Sequence, residues 1–318
     1  MVKVGNRLDN PPQVKTAGQR LVKRVWDYRE MYLLLLPAFV AVLVFSYIPM
    51  YGVVMAFQNV KLGVPIMENE WVGLHHIKKF FESLWFETTM SNTMVLAIAQ
   101  NLIYPPFELA LALMLHNCNN KYIKKWTQSL TYIPHLLSTV VVISILRVFI
   151  AKSSGLINNM FAAFGMERID FLSLPEAAIP LYIIIGLWQN CGYSAVVYIG
   201  ALASVDEQMV EAARIDGASK WRIVWNIQLP SIMPTVITML ILSFGSLFGA
   251  STERMLLLQT DLNIRGSEII GTYLYKQGIA GARYGFSTAI GLFQNLLNIC
   301  MMFLVNWLGD KFAGMSII

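Results

Sequence analysis

Charge is scarce in this chain. Asp, Glu, Lys and Arg make up only 14% of its 318 residues, while 56% are hydrophobic. Soluble domains carry about 25% charged and roughly 45–50% apolar residues. The deficit excludes an ordinary soluble enzyme and a disordered chain, and it points to an integral membrane protein. Cysteine is nearly missing: Cys118, Cys191 and Cys300 lie far apart, with no Cys-x-x-Cys pair. No disulfide framework or thiolate metal knuckle follows from them. The four histidines (His75, His76, His116, His135) do not cluster, and the adjacent pair would point about 100° apart on a helix, a poor metal geometry. Neither Gly-x-Ser-x-Gly nor His-Glu-x-x-His occurs, and Gly-x-x-x-x-Gly-Lys-[Ser/Thr] is absent as well. We therefore expect no catalytic residue, no metal site and no phosphate loop of that kind. The 17 methionines read as span packing rather than metal ligands. A net charge of +5 could suit nucleic acid. The basic residues are instead spread between apolar runs, as in loops beside membrane spans.

What is present is apolar length. A spanning helix needs about 20 mostly apolar residues. Residues 31–60, 177–205 and 284–309 carry no charged side chain; 88–115 holds only Glu108, and 127–151 only Arg147. Residues 223–252 are also free of charge, but Pro230 is expected to divide them into a short amphipathic piece and a span. The expectation is an all-α membrane protein with six transmembrane helices, near 31–57, 89–115, 127–150, 177–203, 231–250 and 285–309. Residues 1–30 read as a cytoplasmic tail rather than a signal peptide, because the first apolar run is too long and lacks a cleavage site. Residues 310–318 read as a second cytoplasmic tail. With both ends inside, the inner segments hold 14 Lys and Arg and the outer loops 9, the bias expected of cytoplasmic loops. Arg147, near the outer end of span three, is expected to snorkel. In the first outer loop, the Trp- and Phe-rich stretch 71–86 reads as an amphipathic segment at headgroup level. The outer stretch 155–170 reads as turns with a short helix.

The inner loop between spans four and five, residues 204–230, has more structure than a connector needs. Ser204-x-x-Glu207 reads as a capping box. Met209, Ala212, Ala213 and Ile215 follow on a short helix, and Asp216-Gly217 stops it. Ser219 can cap a second helix carrying Trp221, Val224, Trp225 and Ile227, which Leu229-Pro230 is expected to end. The result is a helix–turn–helix beneath the membrane, with small residues where another surface can approach. Such an element implies a cytoplasmic partner.

Glu211-Ala212-Ala213, Asp216-Gly217-Ala218, Ile227 and Leu229-Pro230 together resemble the EAA signature of permease subunits of binding-protein-dependent ABC importers. Trp71-Val72-Gly73-Leu74 with Phe80-Phe81 resembles carbohydrate permeases of the maltose-transporter type. Ser46 to Gly52, Tyr132 to His135, Gly155 to Asn158 and residues 284–298 resemble the oligosaccharide branch of that group, which includes importers of acidic, uronate-containing sugars. The resemblance implies a six-helix permease domain over residues 31–309, in the inner membrane. It also implies an EAA loop that docks as a coupling helix into a separate ATPase. The implied partners are a second permease, two ATPase subunits, an extracytoplasmic sugar-binding protein, carbohydrate and lipid, with no nucleic acid. This chain needs no cofactor of its own; ATP and Mg belong to the partner ATPases.

For a substrate, span four offers Trp188-Gln189-Asn190-Cys191-Gly192-Tyr193. Amides inside an apolar helix should face protein or water rather than lipid. The resemblance places the substrate pathway at Gln189, Asn190 and Tyr193, with Ser246 on span five. The alternative is helix–helix hydrogen bonding by the same amides. Glu108, close after Pro105-Pro106, is read first as a structural hydrogen-bonding group. As a lone carboxylate in a span it could instead carry a proton, which would make the chain a proton-coupled secondary transporter. A permease for a non-sugar solute is the other alternative. A membrane-embedded enzyme would need a convergent catalytic set, and none is visible.

Overall fold

The computed structural model describes residues 26–245, 248–249 and 252–313. The chain divides into two units, Met1–Val54 and Met55–Ile318. The first contains helix α1 (Arg29–Val42), a π-helical turn at Leu43–Tyr47 and a short helix at Ile48–Met50. From Met31 onward α1 is apolar on every side and buries none of its residues, the pattern of a helix made for hydrocarbon or for an apolar partner.

The second unit includes an antiparallel ribbon, β1 (Gln58–Asn59) against β2 (Glu70–Trp71), with Gln58 opposite Trp71. Helix α2 (His75–Phe81) follows. It is the amphipathic segment expected at headgroup level, but part of its apolar face is used inside the protein. Phe80 is fully buried against Ile270, Tyr273, Phe286 and Ile290, a burial worth about 1.5–3 kcal/mol. Helix α3 (Phe86–His116) runs unbroken through Pro105 and Pro106.

The third span differs from the single helix the sequence suggests. Helices α4 (Lys121–Leu136) and α5 (Thr139–Ile150) meet at 102°. Pro134 sits in the last turn of α4, Leu137 and Ser138 are extended, and the Ser138 hydroxyl accepts the Val141 N–H to begin α5. A chain break with its own N-cap replaces a continuous ladder. Helix α6 (Leu156–Ala163) is the short helix expected beyond this span. Asn158, buried, closes the loop around it by bonding the Ile150 and Ile169 carbonyls at 2.9 and 3.0 Å.

Helix α7 (Ala178–Leu202) is span four, and α8 (Glu207–Ile215) leads into α9 (Lys220–Ile223). A second correction comes here. Pro230 does not end the helix: after a π-helical turn at Val224–Gln228, α10 (Leu229–Gly245) continues, so the helical run from Lys220 to Phe244 is unbroken. The Leu229 N–H reaches back five residues to Val224. That widened turn makes room for a proline ring and its missing donor.

Beyond span five lie α11 (Thr252–Leu258), α12 (Ile264–Ser267) and α13 (Ile270–Tyr275), and α14 (Tyr284–Ala313) is the last span. Arg147 is exposed, yet its guanidinium donates to the Leu257 carbonyl and ties α5 to α11 rather than only snorkelling. Among the described residues, five helices are long and apolar enough to cross a membrane, and the bent pair α4–α5 makes six. Leu96 and Tyr104 of α3, Val142 and Ile143 of α5, Tyr182 of α7 and Met255 of α11 share one core. Ala112, Ala195, Tyr198 and Ile232 form another.

Candidate functional site

The helices enclose a cavity of about 470 Å³. From α3, Gln100, Asn101, Tyr104 and Glu108 face it, at spacings that put them on one helical stripe. From α7 come Tyr182, Asn190, Tyr193, Ser194 and Tyr198. Tyr182 and Tyr198 are 16 residues apart in the sequence, so the wall extends along about 24 Å of helix. His135 from the end of α4, Ser243 from α10 and Arg254 from α11 complete the polar lining.

The lining is hydrogen-bonded to itself. Ser243 Oγ donates to Asn101 Oδ1 at 2.7 Å, and Glu108 and Ser194 both face the cavity. The His135 ring stacks on Tyr193, with centroids 4.0 Å apart and planes 7° from parallel. His135 Nδ1 lies 3.0 Å from Asn190 Oδ1, while Asn190 Nδ2 donates to the Gly186 carbonyl at 3.0 Å. Gly192 permits this closeness of α4 and α7, because a Cβ there would come within 2.2 Å of the Thr131 carbonyl oxygen. The wall therefore offers phenol and imidazole faces beside fixed amides, a surface that can meet both the apolar and the hydroxyl-bearing sides of a polyol.

The candidate pathway residues separate. Asn190 and Tyr193 line the cavity, and Tyr193 is 58% exposed. Gln189 is not among the lining residues: it is 5% exposed, its Nε2 donates to the Leu137 carbonyl at 3.1 Å, and its Oε1 accepts from Arg254 at 3.2 Å. The break between α4 and α5 leaves a carbonyl without its helical partner, and Gln189 satisfies it. Helix–helix hydrogen bonding is thus the arrangement found at Gln189. Ser246 lies outside the described residues. Glu108 is 9% exposed and faces the cavity.

Sequence reasoning missed Arg254, which counts there as one basic residue of an outer loop. It is 7% exposed, with its guanidinium 4.9 Å from the centre of the Tyr182 ring. The one available signal was its position directly before Met255-Leu256-Leu257-Leu258, a charge abutting an apolar run.

At the far end of α7 lies the loop 204–230. Its first helix, α8, is capped by Asp206, whose Oδ1 accepts the Gln208 N–H at 2.9 Å. The expected capping box fails because Ser204 Oγ instead bonds back to the Ala201 carbonyl at 2.7 Å. The stop falls where expected: Gly217 has φ +79°, and the Ala218 N–H bonds the Ala213 carbonyl at 2.9 Å, a closure that needs a left-handed residue. Ser219 caps α9. Glu211, Ala212, Asp216 and Pro230 are exposed, Ala213, Ala218 and Ile227 partly so, and Leu229 is buried. Ile215 is 87% exposed and Met209 and Trp221 are also open, an apolar face turned away from the bundle. On its other side, Glu207, Glu211 and Arg214 border a cleft of about 450 Å³ shared with His116, Asn117 and Lys124. Asn117 and Gln228 exchange two amide hydrogen bonds at 2.9 and 3.0 Å, joining the end of α3 to the π-helical turn before α10.

A bundle of membrane-spanning helices around a polar cavity, with a built loop at one end, defines a membrane permease. The chain belongs to the family described as binding-protein-dependent transport system inner membrane component, whose model matches residues 108–314. It is 36% identical over 299 residues to the polygalacturonan/rhamnogalacturonan transport system permease protein YteP of Bacillus subtilis (strain 168), covering 94% of this chain and 93% of that one. It is also 36% identical to protein LplB of the same organism, over 98% of both chains. Among solved structures, a chain of a bacterial ABC transporter involved in import of the acidic polysaccharide alginate superposes with a TM-score of 0.84. It shares 32% identity, with 92% of this chain and 99% of that one covered. The same transporter type in complex with its alginate pentasaccharide-bound periplasmic protein also gives 0.84, at 31% identity over 94% of this chain and all of that one.

Proposed function

We propose that this chain is a transmembrane permease subunit of an ATP-driven importer for an oligosaccharide. It supplies half of the translocation pathway through the cavity between α3, α7 and α10. The observation that carries this reading is the cavity wall itself, in which phenol, imidazole and amide groups alternate along about 24 Å of helix. That length suits a chain of sugar rings better than a small ion. The names of the relatives, which concern polygalacturonan, rhamnogalacturonan and alginate, support the same class.

The loop 204–230 couples this subunit to a separate ATPase. Its exposed apolar face around Ala212, Ile215 and Trp221 is the docking surface, and Gly217 sets the turn. ATP and Mg are handled by two ATPase partners, since the chain lacks a phosphate loop. A second permease and an extracytoplasmic sugar-binding protein complete the assembly, with both termini of this chain in the cytoplasm. The ATPase must favour one global state on binding nucleotide, and the loaded binding protein must favour the same state. The Asn117–Gln228 pair is the link by which movement of the loop reaches α3 and α10.

The test is reconstitution with the partner subunits in proteoliposomes. Uptake of oligosaccharide should require ATP and the binding protein. Uptake driven by a proton gradient without ATP, and lost in Glu108→Gln, would establish a secondary transporter instead.

A further inference from the structure

We infer that α4 and the apolar groove beside it hold an anionic phospholipid of the surrounding bilayer, with its phosphate on Lys121 and Lys125 and an acyl chain in the groove. The inference needs only the membrane-spanning bundle and holds whatever the cavity transports.

Helix α4 is amphipathic, and its lysines gather at one end. Lys121, Lys124 and Lys125 lie within five residues. Lys124 borders the cleft shared with the loop 204–230, while Lys121 and Lys125 are exposed. A spacing of four puts these two on one face, where like charges repel. Lys121 also opens the helix, where the helix dipole is already positive. Among the described residues, none of the three lysines is ion-paired. An anion between Lys121 and Lys125 turns both costs into attraction.

The level of these groups fits a lipid headgroup. Helix α4 runs antiparallel to the spanning helix α7: Lys124 shares its cleft with Leu202, a Cβ on Gly192 would strike the Thr131 carbonyl, and the Leu137 carbonyl meets Gln189. The lysines therefore stand at the end of a span, and Leu137 near its middle. Tyr122 and Trp126, both exposed, accompany them, as aromatic rings do at a membrane–water boundary. Farther along, Leu130 and Pro134 face Ile184, Leu187 and Trp188 of α7 across a groove of about 440 Å³. Leu130 and Pro134 stand five and nine residues beyond Lys125, about 8 and 14 Å along the helix. A headgroup region is roughly 5–8 Å thick, so the groove begins where hydrocarbon does. Trp126, Leu130 and Ile133, all exposed, make an apolar strip from the lysines toward it. A phospholipid meets the cations and the groove at once, whereas a free anion or an acidic protein surface meets only the cations.

The experiment places the purified transporter, with its partner subunits, in nanodiscs of equal parts phosphatidylglycerol and phosphatidylcholine with matched chains. The lipid retained after extraction into detergent is then counted by native mass spectrometry. Wild type should retain phosphatidylglycerol over phosphatidylcholine by roughly tenfold, and Lys121→Gln with Lys125→Gln should lower that preference about fivefold or more, with subunits still copurifying. The paired Lys→Arg variant should keep the preference. Leu130→Trp, which fills the groove, should lower the retained amount of both lipids. Equal retention of the two lipids by wild type overturns the inference, whether or not any variant assembles. So does displacement of the lipid by excess inorganic phosphate, which would make this a simple anion site. Loss of the ATPase subunits from the paired Gln variant, with its lipid preference intact, would assign the lysines to a protein partner and overturn the inference as well.

Discussion

The loop 204–230 and the cavity wall are built in opposite ways. The loop is local: its caps, its stop and its second helix come from residues within a few positions of one another, such as Asp206 with Gln208 and Gly217 between Ala213 and Ala218. The cavity is assembled from distant residues. Arg254 meets Gln189 across 65 positions, and His135 meets Asn190 across 55. A transport subunit needs both kinds of construction. A surface that docks a partner must keep its shape while the bundle rearranges, and local closure gives that. A cavity that opens and closes must depend on contacts between separate helices.

Four substitutions sharpen this contrast. The largest effect is expected from Gly217→Val. A β-branched residue at φ +79° is strained, and the loop has no alternative stop. Uptake should fall at least tenfold in the reconstituted transporter, while sugar in the cavity is unaffected. Normal coupling of hydrolysis to uptake in that variant would break the assignment of the loop. Next is Tyr193→Ala, which removes the stack on His135. We expect uptake to fall several-fold with the subunits still copurifying. By contrast, Gln189→Ala should act on stability, since it leaves the Leu137 carbonyl and the Arg254 guanidinium short of a partner, at a cost of about 1–3 kcal/mol. Thermal denaturation of the purified complex distinguishes the two: a stable Gln189→Ala complex with slow uptake would return Gln189 to the pathway. The smallest effect is expected from Asp206→Ala, which removes one cap worth about 1 kcal/mol. It should loosen α8, read as faster hydrogen exchange there, with little loss of uptake.

The same contrast explains what the sequence could reveal. Five long apolar helices were legible because hydrocarbon demands long apolar runs, and the loop was legible because its residues act on near neighbours. Even there, side-chain competition decided details. Ser204 turned back to Ala201, leaving the cap to Asp206, and a π-helical turn carried the chain through Pro230. The bend of 102° within span three was hidden because Leu137 and Ser138 sit in an apolar context. Arg254 was hidden because one basic residue after a span looks like any other loop charge. Its one local mark, the apolar run from Met255 to Leu258 directly after it, does not by itself imply burial. Its burial depends on Tyr182, Gly186 and Gln189 arriving from another helix. The separation of Gln189 from Tyr193, four residues apart, likewise depends on where α4 breaks.

The central claim is that the loop between spans four and five transmits force from a separate ATPase. A photo-crosslinking amino acid at Ala212, in the complete transporter in native membranes, tests it most directly. The account predicts a crosslink to the ATPase subunit, with a yield that changes when ATP is trapped. Crosslinks only to an extracytoplasmic protein, or to no nucleotide-hydrolysing subunit, would contradict it.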